Sequence, residues 1–106
     1  MNKAFILKNP SLLKNQCFIN GNWAPSNTGD ELTVRNPATG DIITKVAKCS
    51  GSEAQKTIES ASIAQKLWAN ITAKGRSKLI RDWYNLIIDN KEDLAQILTA
   101  EQGKPL

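Results

Sequence analysis

At Ser50 the hydrophobic period of this chain changes, and with it the kind of structure the chain can build. Before Ser50, apolar residues come in short extended runs separated by turn residues. After it they recur at helical spacing as far as Leu98. Leu32-Thr33-Val34 and Ile42-Ile43-Thr44-Lys45-Val46 favour strands, because Thr, Val and Ile pack well on a pleated surface. Asn20-Gly21, between Phe18-Ile19 and Trp23, is a hairpin signal, since both central residues of a type I′ turn need positive φ. Asn36-Pro37-Ala38-Thr39-Gly40 supplies the turn chemistry between the second pair of runs. A small antiparallel ribbon is expected.

The second half predicts three helices. Ser50-Gly51-Ser52-Glu53 matches a capping box, and Ala54, Ile58, Ala61, Ala64 and Trp68 then follow at helical spacing. Thr72 is placed to cap a second helix, whose Leu79, Ile80, Trp83, Leu86 and Ile87 form an apolar stripe. Asn90 is placed to cap a third, with Leu94, Ile97 and Leu98 inward and Gly103 and Pro105 as its stop. Trp68 and Trp83 read as core residues of these stripes, not as a stacking platform, while Trp23 closes the first hairpin. Residues 1–15 read as a loosely ordered leader with one helical turn at Ser11 to Asn15, and residues 16–106 as part of a single domain.

Composition removes several functions. No apolar run approaches the roughly 18 residues that span a bilayer, and the N-terminus has only apolar pairs such as Ile6-Leu7 and Leu12-Leu13, without the core of a secretory signal. A cytoplasmic location is the default expectation. The chain has no histidine, so a Ser-His-Asp triad, a Cys-His pair and a His-ligated zinc cannot be built from it alone. The net charge of +4 could suit nucleic acid, but Lys74, Arg76, Lys78 and Arg81 would be spread around a helix. Asp82, Asp89, Glu92 and Asp93 follow at once, so the stretch reads as a solvated face and no nucleic-acid partner is expected.

No side chain stands out as a site. Gly103-Lys104 suggests a phosphate loop, but Leu98 stands where its first glycine belongs and Pro105 where Ser or Thr belongs. The pair reads instead as a helix stop. Gly21, Gly29, Gly40, Gly51, Gly75 and Gly103 never adopt the dinucleotide spacing. Cys17 and Cys49 fit neither a disulfide framework nor a metal motif. Cys49 precedes a helix start, where the dipole would favour thiolate, yet no base accompanies it. Both cysteines read as small, reduced, partly buried side chains. Glu101 follows the Leu94–Leu98 stripe and is expected partly inward, without the second group that acid–base work requires. The residues therefore nominate no catalytic, cofactor-binding or metal-ligating side chain.

Three phrases in order carry a resemblance: Phe18-Ile19-Asn20-Gly21-Asn22-Trp23, Asn36-Pro37-Ala38-Thr39-Gly40 and Glu101-Gln102-Gly103-Lys104-Pro105-Leu106. From about Phe18 to Leu106 the chain resembles the opening of an aldehyde dehydrogenase. Its block from Thr72-Ala73-Lys74-Gly75-Arg76 through Asp82-Trp83-Tyr84-Asn85-Leu86 is most similar to the succinate-semialdehyde dehydrogenases. The resemblance implies an α/β family member of which this chain is the leading part of the cofactor-binding domain, a short antiparallel ribbon followed by about three helices.

It also implies a homo-oligomeric enzyme that oxidises succinate semialdehyde to succinate with NAD or NADP, within 4-aminobutyrate breakdown. In that family a cysteine attacks the aldehyde, hydride passes to the nicotinamide, and a glutamate-assisted water releases the acid. Those groups lie downstream of the Glu-x-Gly-Lys-Pro phrase, so this stretch alone is expected to bind no cofactor and to be inactive. Some family members hold a monovalent cation with backbone carbonyls at places matching Val34, Arg35 and Glu101. Two other classes fit the residues alone: a stand-alone helical interaction module, and a basic nucleic-acid binder of salt-sensitive affinity.

Overall fold

The computed structural model describes residues 6–106. A 3-10 turn at Pro10–Leu12 precedes β1 (Cys17–Ile19), β2 (Asn22–Ala24), β3 (Glu31–Arg35) and β4 (Ile42–Ala47). Three helices follow: α1 (Gly51–Ala69), α2 (Ala73–Asp89) and α3 (Lys91–Gln102). The early turn lies slightly ahead of the expected Ser11–Asn15. Pro10 presets helical φ at its start and the Asn9 side chain accepts a hydrogen bond from Ser11 N at 3.3 Å.

Each hairpin is set by its own turn. Asn20 and Gly21 both have positive φ, +50° and +77°, as a two-residue hairpin loop requires. This registers Phe18 opposite Trp23, whose rings lie 5.0 Å apart and tilted, with the Lys14 ammonium 5.1 Å from the Trp23 ring centre. The β3–β4 turn is wired by its own side chains. Asn36 Oδ1 accepts from Ala38 N at 2.9 Å and Thr39 Oγ1 from Asp41 N at 3.2 Å, while Gly40 N donates to Asn36 O at 2.8 Å.

The expected antiparallel ribbon is built of two hairpins, β1–β2 and β3–β4, that share no ladder. Between them the chain folds on itself: Ser26 Oγ donates to Asp30 O at 2.9 Å and Gly29 N to Ser26 O at 3.1 Å. Backbone groups spent in that loop are not available to a continuous ladder.

The helices start and stop at the expected residues, but their apolar stripes are not covered. Ile43 of β4 and Ala100 of α3 are the buried apolar side chains among the described residues, at 1% and 5% exposure. Trp83 is 65% exposed and Leu86 61%, and Leu79, Ile80 and Ile87 are exposed with them, so Trp83 is not a core residue here. On α1 only Trp68 of the predicted stripe is half-buried.

The dimensions agree with an uncovered face. The Cα radius of gyration is 16.7 Å, against about 13 Å for a compact chain of this length. The accessible surface is 8186 Å², against about 5,900 Å² for a folded monomer of this mass. The stripes are apolar by sequence and left uncovered by the described residues.

On α3 the inward face is also rotated from the expected one. Asp93, Ile97 and Ala100, spaced i, i+4, i+7, are buried or half-buried, whereas Leu94, Leu98 and Glu101 form an exposed row beside them. Glu101 is thus not inward. A carboxylate, not the leucines, marks the side of α3 that turns toward the rest of the chain.

Candidate functional site

Two buried carboxylates organise the described residues, each three positions into a helix. Asp93, 4% exposed, accepts from Lys8 N at 2.9 Å on one oxygen and from Asn9 N at 2.8 Å on the other. The first turn of α3 thereby holds a segment more than 80 positions earlier. The sequence reading placed Asp93 on a solvated acidic face, and the structure corrects this: its partners are backbone amides, which leave no mark in composition. A Lys8–Glu92 ion pair at 3.2 Å sits beside the clamp at the surface. Asn90 is the residue between α2 and α3, but its side chain does not cap α3. Its Nδ2 donates backward to Leu86 O at 2.8 Å, so it closes α2 instead.

Glu53, 6% exposed, is the second clamp. One carboxylate oxygen accepts from Ser50 N at 2.9 Å and the Ser50 hydroxyl at 3.2 Å, which makes the glutamate half of the expected capping box. The other oxygen accepts from Asn27 N at 3.0 Å and so ties the 26–30 loop to the start of α1. Lys48 N donates to Asp30 O at 2.8 Å and Ala47 N to Asn15 O at 2.9 Å, closing the junction. The Ser50 amide, with help from the Cys49 thiol and the Asn27 amide, holds the Glu53 carboxyl below the usual carboxylate range against the opposing pull of burial.

Cys49 meets this junction and Cys17. The Cys49 thiol donates to Cys17 Sγ at 3.4 Å, and both cysteines are reduced and half-buried. This agrees with the reading of both as small, reduced, partly buried side chains, and the surroundings of Cys49 oppose a thiolate although it precedes a helix start. The hydrogen bond to Cys17, then the neighbouring Glu53 carboxylate and burial, push the Cys49 thiol up to about 12. A nucleophilic role at neutral pH is disfavoured for it. Sequence spacing gave no hint that the two cysteines meet, since 32 positions separate them.

The remaining candidates fall as follows. Gly103 ends α3 in the left-handed conformation, φ +82°, with its amide on Thr99 O at 2.8 Å, so Gly103-Lys104 is a helix stop. Of the basic stretch, Lys78 pairs with Asp82 at 2.8 Å, Arg76 donates to Ile71 O at 2.9 Å, and the Arg81 guanidinium lies 5.3 Å from the Tyr84 ring centre. Local partners on α2 or just before it engage these three. An open apolar hollow of about 520 Å³ is lined by Ala61, Ala64, Leu67, Trp68 and Ile71 with Gln65.

Val34 and Arg35 flank a register shift in the β3–β4 pair, and Glu101 lies in the last turn of α3. A shifted ladder and a helix end both leave carbonyl oxygens without ladder or helix partners. The β3–β4 turn comes near the end of α3, where a Cβ on Gly103 would stand 3.5 Å from Pro37 Cγ. Among the described residues no cluster of three His, Cys, Asp or Glu side chains is placed to hold a metal.

Two hairpins joined by a folded loop, then three helices, the first and third opened by Glu53 and Asp93 and the last closed by Gly103, make an arrangement found in known enzymes. A family model described as the aldehyde dehydrogenase family matches residues 23–106. The chain belongs to the aldehyde dehydrogenase family. It is 48% identical over 100 residues to a 3-sulfolactaldehyde dehydrogenase of Pseudomonas putida, covering 94% of this chain and 21% of that protein. It is 40% identical, with the same coverage, to a succinate-semialdehyde dehydrogenase [NADP(+)] of Escherichia coli. A crystal structure of an aldehyde dehydrogenase from Brucella melitensis biovar abortus 2308 matches with TM-score 0.93 and 44% identity, over 95% of this chain and 21% of that one. The fold is that of the N-terminal part of an aldehyde dehydrogenase. The chain spans about one fifth of the length of these relatives. No helix among the described residues is long and apolar enough to cross a membrane.

Proposed function

We propose that this chain is the leading part of an NAD- or NADP-dependent aldehyde dehydrogenase whose complete form oxidises succinate semialdehyde to succinate. The observation that carries the reading is the family match over residues 23–106 combined with 40% identity to a succinate-semialdehyde dehydrogenase. A bound nicotinamide cofactor would supply the hydride acceptor. In the aldehyde oxidation the chain's own residues position structure and do not react: Glu53 and Asp93 fix the hairpins and the N-terminal segment to the helices, and the stripes of α1 and α2 offer surface to the rest of the enzyme. A homo-oligomeric, cytoplasmic enzyme of 4-aminobutyrate breakdown belongs to the same proposal.

A second substrate has specific support, because identity to the 3-sulfolactaldehyde enzyme is 48%. Both substrates join an aldehyde to an anionic group. The test is to express the gene to its full length and compare kcat/KM for succinate semialdehyde, 3-sulfolactaldehyde and acetaldehyde. Succinate semialdehyde is expected to lead. A clear lead for 3-sulfolactaldehyde would move the assignment to the second substrate, and equal rates with acetaldehyde would remove both. Residues 1–106 alone are expected to reduce neither NAD nor NADP with any of the three; turnover that survives a check for host dehydrogenase would contradict the reading.

A further inference from the structure

Cys17 opens β1 and Cys49 stands one residue before the Ser50 cap of α1. Nothing in the aldehyde chemistry proposed above uses either of them, yet their sulfurs lie 3.4 Å apart, both reduced and half-buried. A disulfide needs the sulfurs at about 2.05 Å, so the two must approach by about 1.4 Å. The β1–β2 hairpin shares no ladder with β3–β4, and the approach therefore breaks no strand pairing. The contact also has a direction. Cys49 donates its proton toward Cys17 Sγ, which leaves the Cys17 sulfur as acceptor, and Glu53 lies against Cys49.

We propose that Cys17 and Cys49 form a reversible thiol–disulfide site that a hydroperoxide oxidises, fastening the first hairpin to the start of α1. In the first step the Cys17 sulfur attacks hydrogen peroxide; the O–O bond breaks, Cys17 becomes a sulfenic acid and one water leaves. In the second, the Cys49 sulfur attacks the Cys17 sulfur, the S–O bond breaks, and a second water departs with the Cys49 proton. The peroxide takes two electrons and each sulfur gives one. The Cys49 S–H is engaged on Cys17 Sγ while the Cys17 sulfur is the acceptor, so the geometry assigns first oxidation to Cys17 and resolution to Cys49.

The experiment treats a mixture of isotopically labelled and unlabelled chains with stoichiometric hydrogen peroxide, blocks residual thiols with a maleimide, and maps the peptides by mass spectrometry. The expected product is two hydrogens lighter, joins the Cys17 and Cys49 peptides within one chain, and reverts with dithiothreitol. It is expected to form at least roughly tenfold faster in native buffer than in guanidinium, because the fold holds the sulfurs together. Cys49→Ser is expected to leave Cys17 as a sulfenic acid that dimedone traps; Cys17→Ser is expected to leave Cys49 unoxidised under the same exposure. Full maleimide labelling of both thiols after peroxide would overturn the proposal. So would cross-links joining labelled to unlabelled chains, or a rate that guanidinium leaves unchanged.

Discussion

The hairpin end of this chain is defined by polar groups that close on one another, the helical end by an apolar stripe that nothing among the described residues covers. From Asn15 to Glu53, turns and loops are closed by side chains and amides a few dozen residues apart at most, and Ile43 is almost wholly out of solvent. Along α2 the backbone is equally regular, capped by Thr72 Oγ1 accepting from Gly75 N at 3.1 Å, yet its apolar stripe faces solvent. Hydrogen-bonded turns complete themselves locally. A stripe of leucine, isoleucine and tryptophan needs an area of matching surface, and each square ångström left open forgoes about 25 cal/mol. The first region closes its polar groups within the described residues, and the apolar stripe of the second finds no cover there.

The largest effect that would break this contrast is at Asp93. Asp93→Ala removes two amide-to-carboxylate hydrogen bonds at a buried position, and bonds of this charged kind are worth about 1.5–3 kcal/mol each. Amide exchange at Lys8 and Asn9 is expected to accelerate by tenfold or more, with little change along α2; unchanged exchange would show that the clamp holds nothing. At Glu53 the expectation is a pH dependence. Its folded carboxyl is held below the ordinary 4.5, so its stabilising contribution is complete above that value and fades as pH falls through the lowered folded value. Protection of the Ser50 and Asn27 amides is expected to follow that course. Glu53→Gln is expected to weaken the protection at neutral pH and flatten its acid dependence, and a variant retaining the parent's profile would count against the clamp. The smallest effect is expected at Trp83. Removing a buried tryptophan side chain costs about 3–5 kcal/mol, but Trp83 is 65% exposed. Trp83→Ala in residues 1–106 is expected to cost under about 1 kcal/mol, visible as little loss of far-UV helicity.

What the residues disclose in advance follows the same division. The Asn20-Gly21 hairpin, the Ser50-to-Glu53 helix start, the Thr72 cap and the Gly103 stop were all legible, because each depends on chemistry within four residues. The family phrases led to the right family. Asp93 was missed because its partners are backbone amides more than 80 positions away, and Asn90 because one side chain could serve either of two helices. The meeting of Cys17 and Cys49 follows from how the hairpin lies on the β4–α1 connection, which no spacing encodes. Trp83 was misplaced for a different reason. Periodicity tells which face of a helix is apolar; it does not tell what, or whether anything, covers it.

Whether the exposed stripes of α1 and α2 require surface that residues 1–106 do not supply is tested most directly by size-exclusion chromatography of that chain with light scattering, followed by a thermal melt. The account predicts species heavier than the 11.7 kDa monomer, helical by circular dichroism, binding apolar dyes and melting without a sharp transition. A single monomer peak with a cooperative transition well above about 50 °C would contradict it, and would identify the three helices as a module that covers itself.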